Sequence, residues 1–338
     1  MRYLSIPVIT LAMLHSVASG GDPKEALDAA ANGYFAYCEG MNAFSCEFHV
    51  DIGNSPNAAA AIKQGPQAVE IRAIGRWSRD KQNEVYELAR GITDTERPAE
   101  ALGMLAAGNV AGKQIPGVRL PPEQFMQTKT HVLHLSGVLG GGRVTSRARE
   151  GDTPGPDVTP LNLAGLMGEG ARLNPGSIVM QLKDNPHTAN GLTMQDTDSA
   201  DIVRISARTP RVMQYLCEVD RSRGFLCVEM CVGQVDDLPK SRAVVTDSKE
   251  IAPGKWFPTR VVHLTRLGPT WDDEVDCVAL LVDSVKASAD EGELQLLLAE
   301  GTLLHDGVNA ATQTKLRGPW VVSCAALEGI SKRIEGQK

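Results

Sequence analysis

Seven cysteines, at 38, 46, 217, 227, 231, 277 and 324, are the residues of this chain best suited to covalent or metal chemistry. None stands in the C-x-x-C pair that a dithiol redox site or a zinc hook uses. Cys227 and Cys231 are four apart in a stretch with strand character, which turns both to one side. No His or second cysteine pair completes a ligand set there, so disulfides and buried apolar thiols are expected. The odd count leaves at least one thiol unpaired or paired with another molecule. Cys217 and Cys227 flank the turn-forming stretch Asp220-Arg221-Ser222-Arg223-Gly224. If the loop is residues 221–223, the two stand directly opposite and within reach of a disulfide. A loop one or two residues different aligns Cys217 with a neighbour and brings Cys231 opposite Tyr215.

Other patterns fall short of a site. Residues 108–114 (GNVAGKQ) graze a phosphate loop, but the first Gly is missing at the required spacing and Gln114 stands where Ser or Thr would meet Mg²⁺. His131 and His134 are three apart in an expected strand and so point to opposite faces. Asp196-x-Asp198-x-x-Asp201 and Asp272-Asp273-Glu274 lack the central Gly and the ligand count of a calcium loop. Asp51, Glu70 and Glu87 fall on the wet side of strands, and no G-x-S-x-G elbow exists. The sequence therefore assigns no catalytic residue, no metal ligand and no cofactor, and the chain reads as a non-enzyme.

The elements that carry these residues are mostly strands. Residues 23–43 read as a helix, with Ala26, Leu27, Ala30, Ala31, Tyr34, Phe35 and Cys38 recurring at three and four. The period then changes to two through Phe44, Cys46, Phe48, Val50 and Ile52. Residues 67–79 and 84–89 form a hairpin about Asp80-Lys81-Gln82-Asn83. Residues 91–126 break the pattern, with a short helix around Glu100–Ala107. A strand returns at 128–139, and the Gly- and Pro-rich residues 140–160 read as a surface loop ahead of a short helix at 161–173. From there the chain is again β-like, at 177–182, 200–207, 211–219, 225–235, 241–251, 256–267, 274–287 and 293–299. The expectation is an α+β fold: one large antiparallel sheet with an N-terminal helix and a few capping helices. Such a sheet, apolar on one side, must curl or be covered.

Composition narrows the partners. Aromatic residues make up only 4% of the chain, so the core is mainly aliphatic, and the formal charge is −7 with no basic stripe. Nucleic acid and anionic headgroups are thereby poor partners. Arg2, the apolar run Leu4–Leu14, and the small residues Ser16 and Ala18 follow the order of a secretory signal. The run is too short to span a bilayer and contains Pro7. Residues 1–18 are expected to be cut away, with the cut as late as 20 if Ala18 and Gly20 direct it, and the mature chain to work in the periplasm or otherwise outside the cytoplasm. No later segment is long and apolar enough to span a membrane.

Several stretches, taken in order, resemble the LolA/LolB superfamily of periplasmic lipoprotein-carrier proteins. The helix leading into Met41-Asn42-Ala43-Phe44-Ser45-Cys46-Glu47-Phe48 is similar to that family's helix and first strand, and Gly75-Arg76-Trp77-Ser78-Arg79-Asp80 to its G-x-L/W strand and turn. The hairpin Tyr215–Val228, the run Gly254-Lys255-Trp256-Phe257-Pro258-Thr259-Arg260-Val261 and the segment Leu294–Asp306 resemble its later strands. The resemblance covers about 24–90 and 200–307. It implies one domain over 19–310 with insertions at about 91–126 and 140–175, followed by a C-terminal extension at 311–338. It also implies a β half-barrel whose apolar concave face holds acyl chains of lipid or lipoprotein. Carriers of that family place an Arg after the first hairpin turn; the nearest register here gives Glu84, Val85 and Tyr86.

On this reading the lining comes from one face of the central strands: Val69, Ile71, Trp77, Tyr86, Leu88, Tyr215, Cys217, Phe225, Met230, Phe257 and Val261. Apolar alternation serves a packed core and a ligand cavity alike. The alternative to a carrier is a non-catalytic envelope interaction or sensory module that uses the same sheet for a protein partner. A third reading, an enzyme, requires a site within the insertions.

Overall fold

The computed structural model describes residues 32–33, 36–37, 40–92, 123–136, 141–146, 158–163, 193–197, 199, 201–208, 213–234, 237–306, 313–315, 318–327 and 329–330. The chain opens into β1 (Phe44–Ser55), α1 (Ala58–Gln64), β2 (Ala68–Arg79) and β3 (Glu84–Ile92). Next come β4 (Glu123–Gln127), β5 (His131–Ser136), β6 (Gly141–Ser146), the four-residue helix α2 (Pro160–Leu163), β7 (Thr193–Asp196) and β8 (Ile202–Arg208). The long hairpins β9 (Met213–Asp220) with β10 (Leu226–Gln234) and β11 (Ser241–Ala252) with β12 (Lys255–Arg266) lead to β13 (Val275–Lys286). The short strands β14 (Gln295–Leu298), β15 (Leu303–Asp306), β16 (Gln313–Lys315) and β17 (Trp320–Ser323) close the described chain.

Fifteen of these strands make one open sheet, in the order β16-β15-β6-β5-β4-β3-β2-β1-β13-β12-β11-β10-β9-β8-β7. Its pairings are antiparallel except β6 with β15. The large antiparallel sheet expected from the alternation is therefore present and unclosed. Sheets of this size curl, because each strand carries a right-handed twist. Register shifts between β1 and β13 and between β11 and β12 add to the bend. Strands two apart in a flat sheet lie about 9.5 Å from one another. Yet the Phe48 and Tyr86 rings, from β1 and β3, have centroids 6.3 Å apart, and those of Phe44 and Phe257, from β1 and β12, are 5.2 Å apart. Side chains converge on this face, which is the concave one.

Three apolar clusters hold the sheet. The largest lines the concave face and runs from Val132 on β5 to Val203 on β8, with Tyr37, Met41 and Leu161 covering it. On the convex face a second core forms where β14 and β17 lie over β3–β6: Val85, Met126, Leu133 and Val144 meet Leu296, Leu298, Val322, Leu327 and Ile330. Residues beyond 310 thus supply two strands and part of a core. The third cluster seats Ala58 and Ala61 of α1 on Val262, Leu264, Val275 and Cys277.

Several expectations are corrected. The strand read at 128–139 begins only at His131, because the Thr128 hydroxyl accepts hydrogen bonds from the amides of Thr130 and His131 and turns the chain, and the preceding β4 lies largely in the stretch 91–126 read as broken pattern. Residues 141–146, read as loop, form β6, and Asp196 closes β7. α1 is not among the expected elements, although its signals are present: the Asn57 side chain caps the amide of Ala60, a run of alanines follows, and Gly65 ends it at φ 81°. The N-terminal helix is seen only at 32–33, 36–37 and 40, which are helical. The helix at 100–107, residues 108–114, the strand at 177–182 and the expected leader lie outside the described residues.

Candidate ligand-binding face

Alternation in β1 and β2 puts Phe44, Phe48, Gly75 and Trp77 on the concave side. Phe44 is the hub: its ring meets Trp77 edge-on at 4.6 Å and Phe257 at 5.2 Å. Gly75 makes a further contact feasible, that of Phe48 with Tyr86. A Cβ there would lie 2.4 Å from the tip of the Phe48 ring, so only glycine lets that ring cross β2 and stack on Tyr86. The polar handles are satisfied at the margins. Trp77 Nε1 donates to Glu84 Oε1 at 2.8 Å, and the Tyr86 hydroxyl donates to the Val158 carbonyl at 3.0 Å. Glu84 thus occupies the place after the hairpin turn and pins the indole.

The expected lining residues divide. Trp77, Tyr86, Leu88, Phe257, Val261 and Cys217 are brought together in the concave cluster, with Phe225 and Met230 half-buried against it. Ile71 is buried and Val69 half-buried on β2, and neither joins that cluster. Tyr215 sits on β9 opposite Val232, and its side chain lies outside the described residues. Phe44 and Phe48 were not among the expected lining, although the same alternation marks them. The cover was not legible either. The Tyr37 hydroxyl donates to the Trp256 carbonyl at 2.7 Å, Gly33 lies against the Phe225 ring, and Leu161 of α2 is fully buried. Trp77 is 2% exposed and Phe257 0%, so nothing reaches them while this cover is in place.

The rim near the cover is strained. Gly224 and Phe225 both have positive φ, 67° and 68°, after the turn Arg221–Arg223 that Asp220 caps. A bulky aromatic in that region is an outlier that its surroundings must hold. Here the Phe225 amide donates to the Asp220 carbonyl at 2.8 Å and its ring meets Gly33.

The cysteines are disposed differently from expectation. The loop between β9 and β10 spans 221–225, so Cys227 pairs with Val219, and a bulge at Val228 sets Cys217 opposite Met230. The bulge also reverses the phase, so Cys231, opposite Leu216, faces away from Cys227, and the two do not share a side. Cys217 and Cys227 are free thiols in contact, Sγ···Sγ 3.5 Å. Burial raises the thiol pKa of Cys46 and, with the Cys227 contact, that of Cys217.

On the convex face, a polar pocket of about 340 Å³ includes Ser45, Glu47, Arg76, Ser78, Lys286 and Glu293. Its charges are largely spent on one another. Arg76 pairs with Glu87 and donates to the Gln295 carbonyl, and Lys286 bridges Asp290 and Glu293. Burial opposes the charge on Glu293, but hydrogen bonds from the Asp290 amide, Lys286 and Ser45 hold its carboxyl below the usual range. His131 contacts the Thr130 hydroxyl and His134 lies 3.9 Å from Glu123. Among the described residues no three His, Cys, Asp or Glu side chains gather to hold a metal ion.

No family model matches the chain, and no curated protein matches its sequence. Among solved structures it is similar to a DUF1329 family protein from Desulfovibrio piger, at 9% identity over 79% of this chain and 94% of that one, with a TM-score of 0.37. It is also similar to a domain from Vibrio parahaemolyticus assigned as an outer membrane lipoprotein-sorting protein, at 7% identity over 80% of this chain and 97% of that one, with a TM-score of 0.39.

Proposed function

We propose that this chain is an exported, non-enzymatic binder of an apolar ligand, a lipid or an acyl chain of a lipoprotein, held on the concave face of the sheet. One observation carries the reading. Among the described residues, the aromatic floor of Phe44, Phe48, Trp77, Tyr86 and Phe257 is covered by a few side chains, Tyr37 and Met41 at the end of the N-terminal helical segment and Leu161 of the single turn α2. A cover held by few side chains separates from a core at lower cost than a packed layer does, and a ligand takes its place. An acyl chain burying roughly 200 Å² against this floor gains on the order of 5 kcal/mol, from which the cost of moving the cover is subtracted. Half-buried Phe225, Met230 and Trp256 form the margin where entry begins. The leader-like Arg2, Leu4–Leu14 and Ala18 support a location in the periplasm or another extracytoplasmic space.

The complete burial of Phe257 favours a second reading, in which the floor is packed core and the sheet serves a protein partner in the envelope. Native mass spectrometry of freshly purified protein separates the two. A co-purifying mass of acyl-lipid size, released by organic extraction, supports the binder. A clean apo mass from the native host, with no lipid in the extract, supports the interaction module.

A further inference from the structure

The contact between Cys217 and Cys227 is independent of the ligand reading and leads elsewhere. Both side chains are buried on the concave side of the β9–β10 hairpin, and their sulfurs touch at 3.5 Å. A disulfide needs about 2.05 Å, so closure asks the sulfurs to approach by about 1.5 Å, within reach of a χ1 adjustment in two short side chains. Cys227 pairs with Val219, and Cys217 stands two residues from Val219 on the same strand, so the two cysteines are diagonal neighbours on one face. The bulge at Val228 follows immediately after Cys227. The same bulge removes the competitor, since Cys231 faces the other side, where its thiol lies 3.4 Å from Glu229 Oε1.

We propose that Cys217 and Cys227 are a redox pair that closes into a cross-strand disulfide on reaction with an external disulfide oxidant and reopens with a dithiol reductant. In the forward direction one cysteine, as thiolate, attacks a sulfur of the oxidant and expels one thiolate. The second cysteine, deprotonated, then attacks the mixed disulfide and expels the other. The protein loses two thiol protons and two electrons, and the oxidant is reduced to two thiols. Burial keeps the Cys217 thiol well above the ordinary range, so exchange is slow in the closed fold and proceeds when the hairpin opens or as the exported chain folds. The bond ties together the two strands that lead to Phe225 and Met230, and so stiffens the rim.

The test equilibrates the full-length mature protein with mixtures of oxidised and reduced glutathione, quenches in acid, alkylates in denaturant and maps peptides without reduction. The expected result is a linked pair of peptides carrying Cys217 and Cys227 that grows with oxidant, persists in Cys231→Ser, and is replaced by an alkylated Cys227 in Cys217→Ser. Full alkylation of both cysteines under the most oxidising mixture overturns the proposal. So does a linkage of either to Cys231 or to any other cysteine. The wild-type map decides the matter even if a variant fails to fold.

Discussion

At Gly75 the absence of a side chain is a structural requirement. The Phe48 ring lies where a Cβ would stand, so Gly75→Ala must push that ring off Tyr86. The expected loss is about 1–3 kcal/mol, as for other overpacked cores. Gly292→Ala, where nothing lies within 4 Å, serves as the control and should leave the urea midpoint nearly unchanged. An unaltered midpoint in Gly75→Ala would mean that the stack is not held as described. His263 supplies a pH signature. Burial lowers its pKa below the ordinary 6.5, and its Nε2 lies 2.9 Å from the Ser241 hydroxyl. The unfolded chain then binds the proton more readily, so this residue's contribution to stability is complete above 6.5 and shrinks as pH falls through that value. Urea midpoints at pH 7.5 and 5.5 should differ by less in His263→Gln than in the wild type; an equal difference contradicts the assignment.

Elements with a clean period of two were legible from their residues. Phe44–Val50, Ile71–Trp77 and the β9–β10 and β11–β12 hairpins lie where alternation placed them, within a few residues. What failed was phase and punctuation. A bulge at Val228 leaves no residue signature, yet it reverses Cys231 relative to Cys227. The Thr128 turn delays the strand expected from 128 to His131, β4 lies largely hidden in the stretch 91–126, and the glycines at 141–142 hid β6, because Gly is read as a breaker although a ladder needs only backbone. α1 was legible in principle from Asn57 and Gly65. Its cap gives a direct check: Asn57→Ala should cost about 1 kcal/mol, and Asn57→Ser nearly nothing, in the same urea assay. If both cost nothing, the α1 pad over Val262 and Leu264 does not depend on its cap.

At the scale of the whole molecule, the convex face matters as much as the concave one. Within the C-terminal extension expected at 311–338, strand pairing of Trp320–Ser323 with Gln295–Leu298 and the burial of Val322, Leu327 and Ile330 tie the described residues to β3–β6. Such long-range packing is invisible to local periodicity, since four-residue strands carry little pattern. Deleting residues 311–338 should expose Leu296 and Leu298, lower the thermal midpoint by many degrees and induce binding of a hydrophobic dye. A truncated protein as stable as the full chain would show that the second core contributes little. The candidate site was half legible for the same reason: the floor residues follow from alternation, whereas the cover comes from Tyr37, Val158 and Leu161, distant in sequence and fixed only by the fold.

The central claim is that the concave floor accepts an apolar ligand in place of that cover. A fluorescent fatty acid titrated into delipidated protein tests it most directly, with Trp77→Phe and Phe225→Ala as variants and circular dichroism to confirm the fold. The account predicts saturable binding in the micromolar range, with quenching of tryptophan emission, weakened several-fold in both folded variants. A folded wild type that binds no fatty acid at any concentration below micelle formation contradicts it, and so does binding of equal strength in all three proteins.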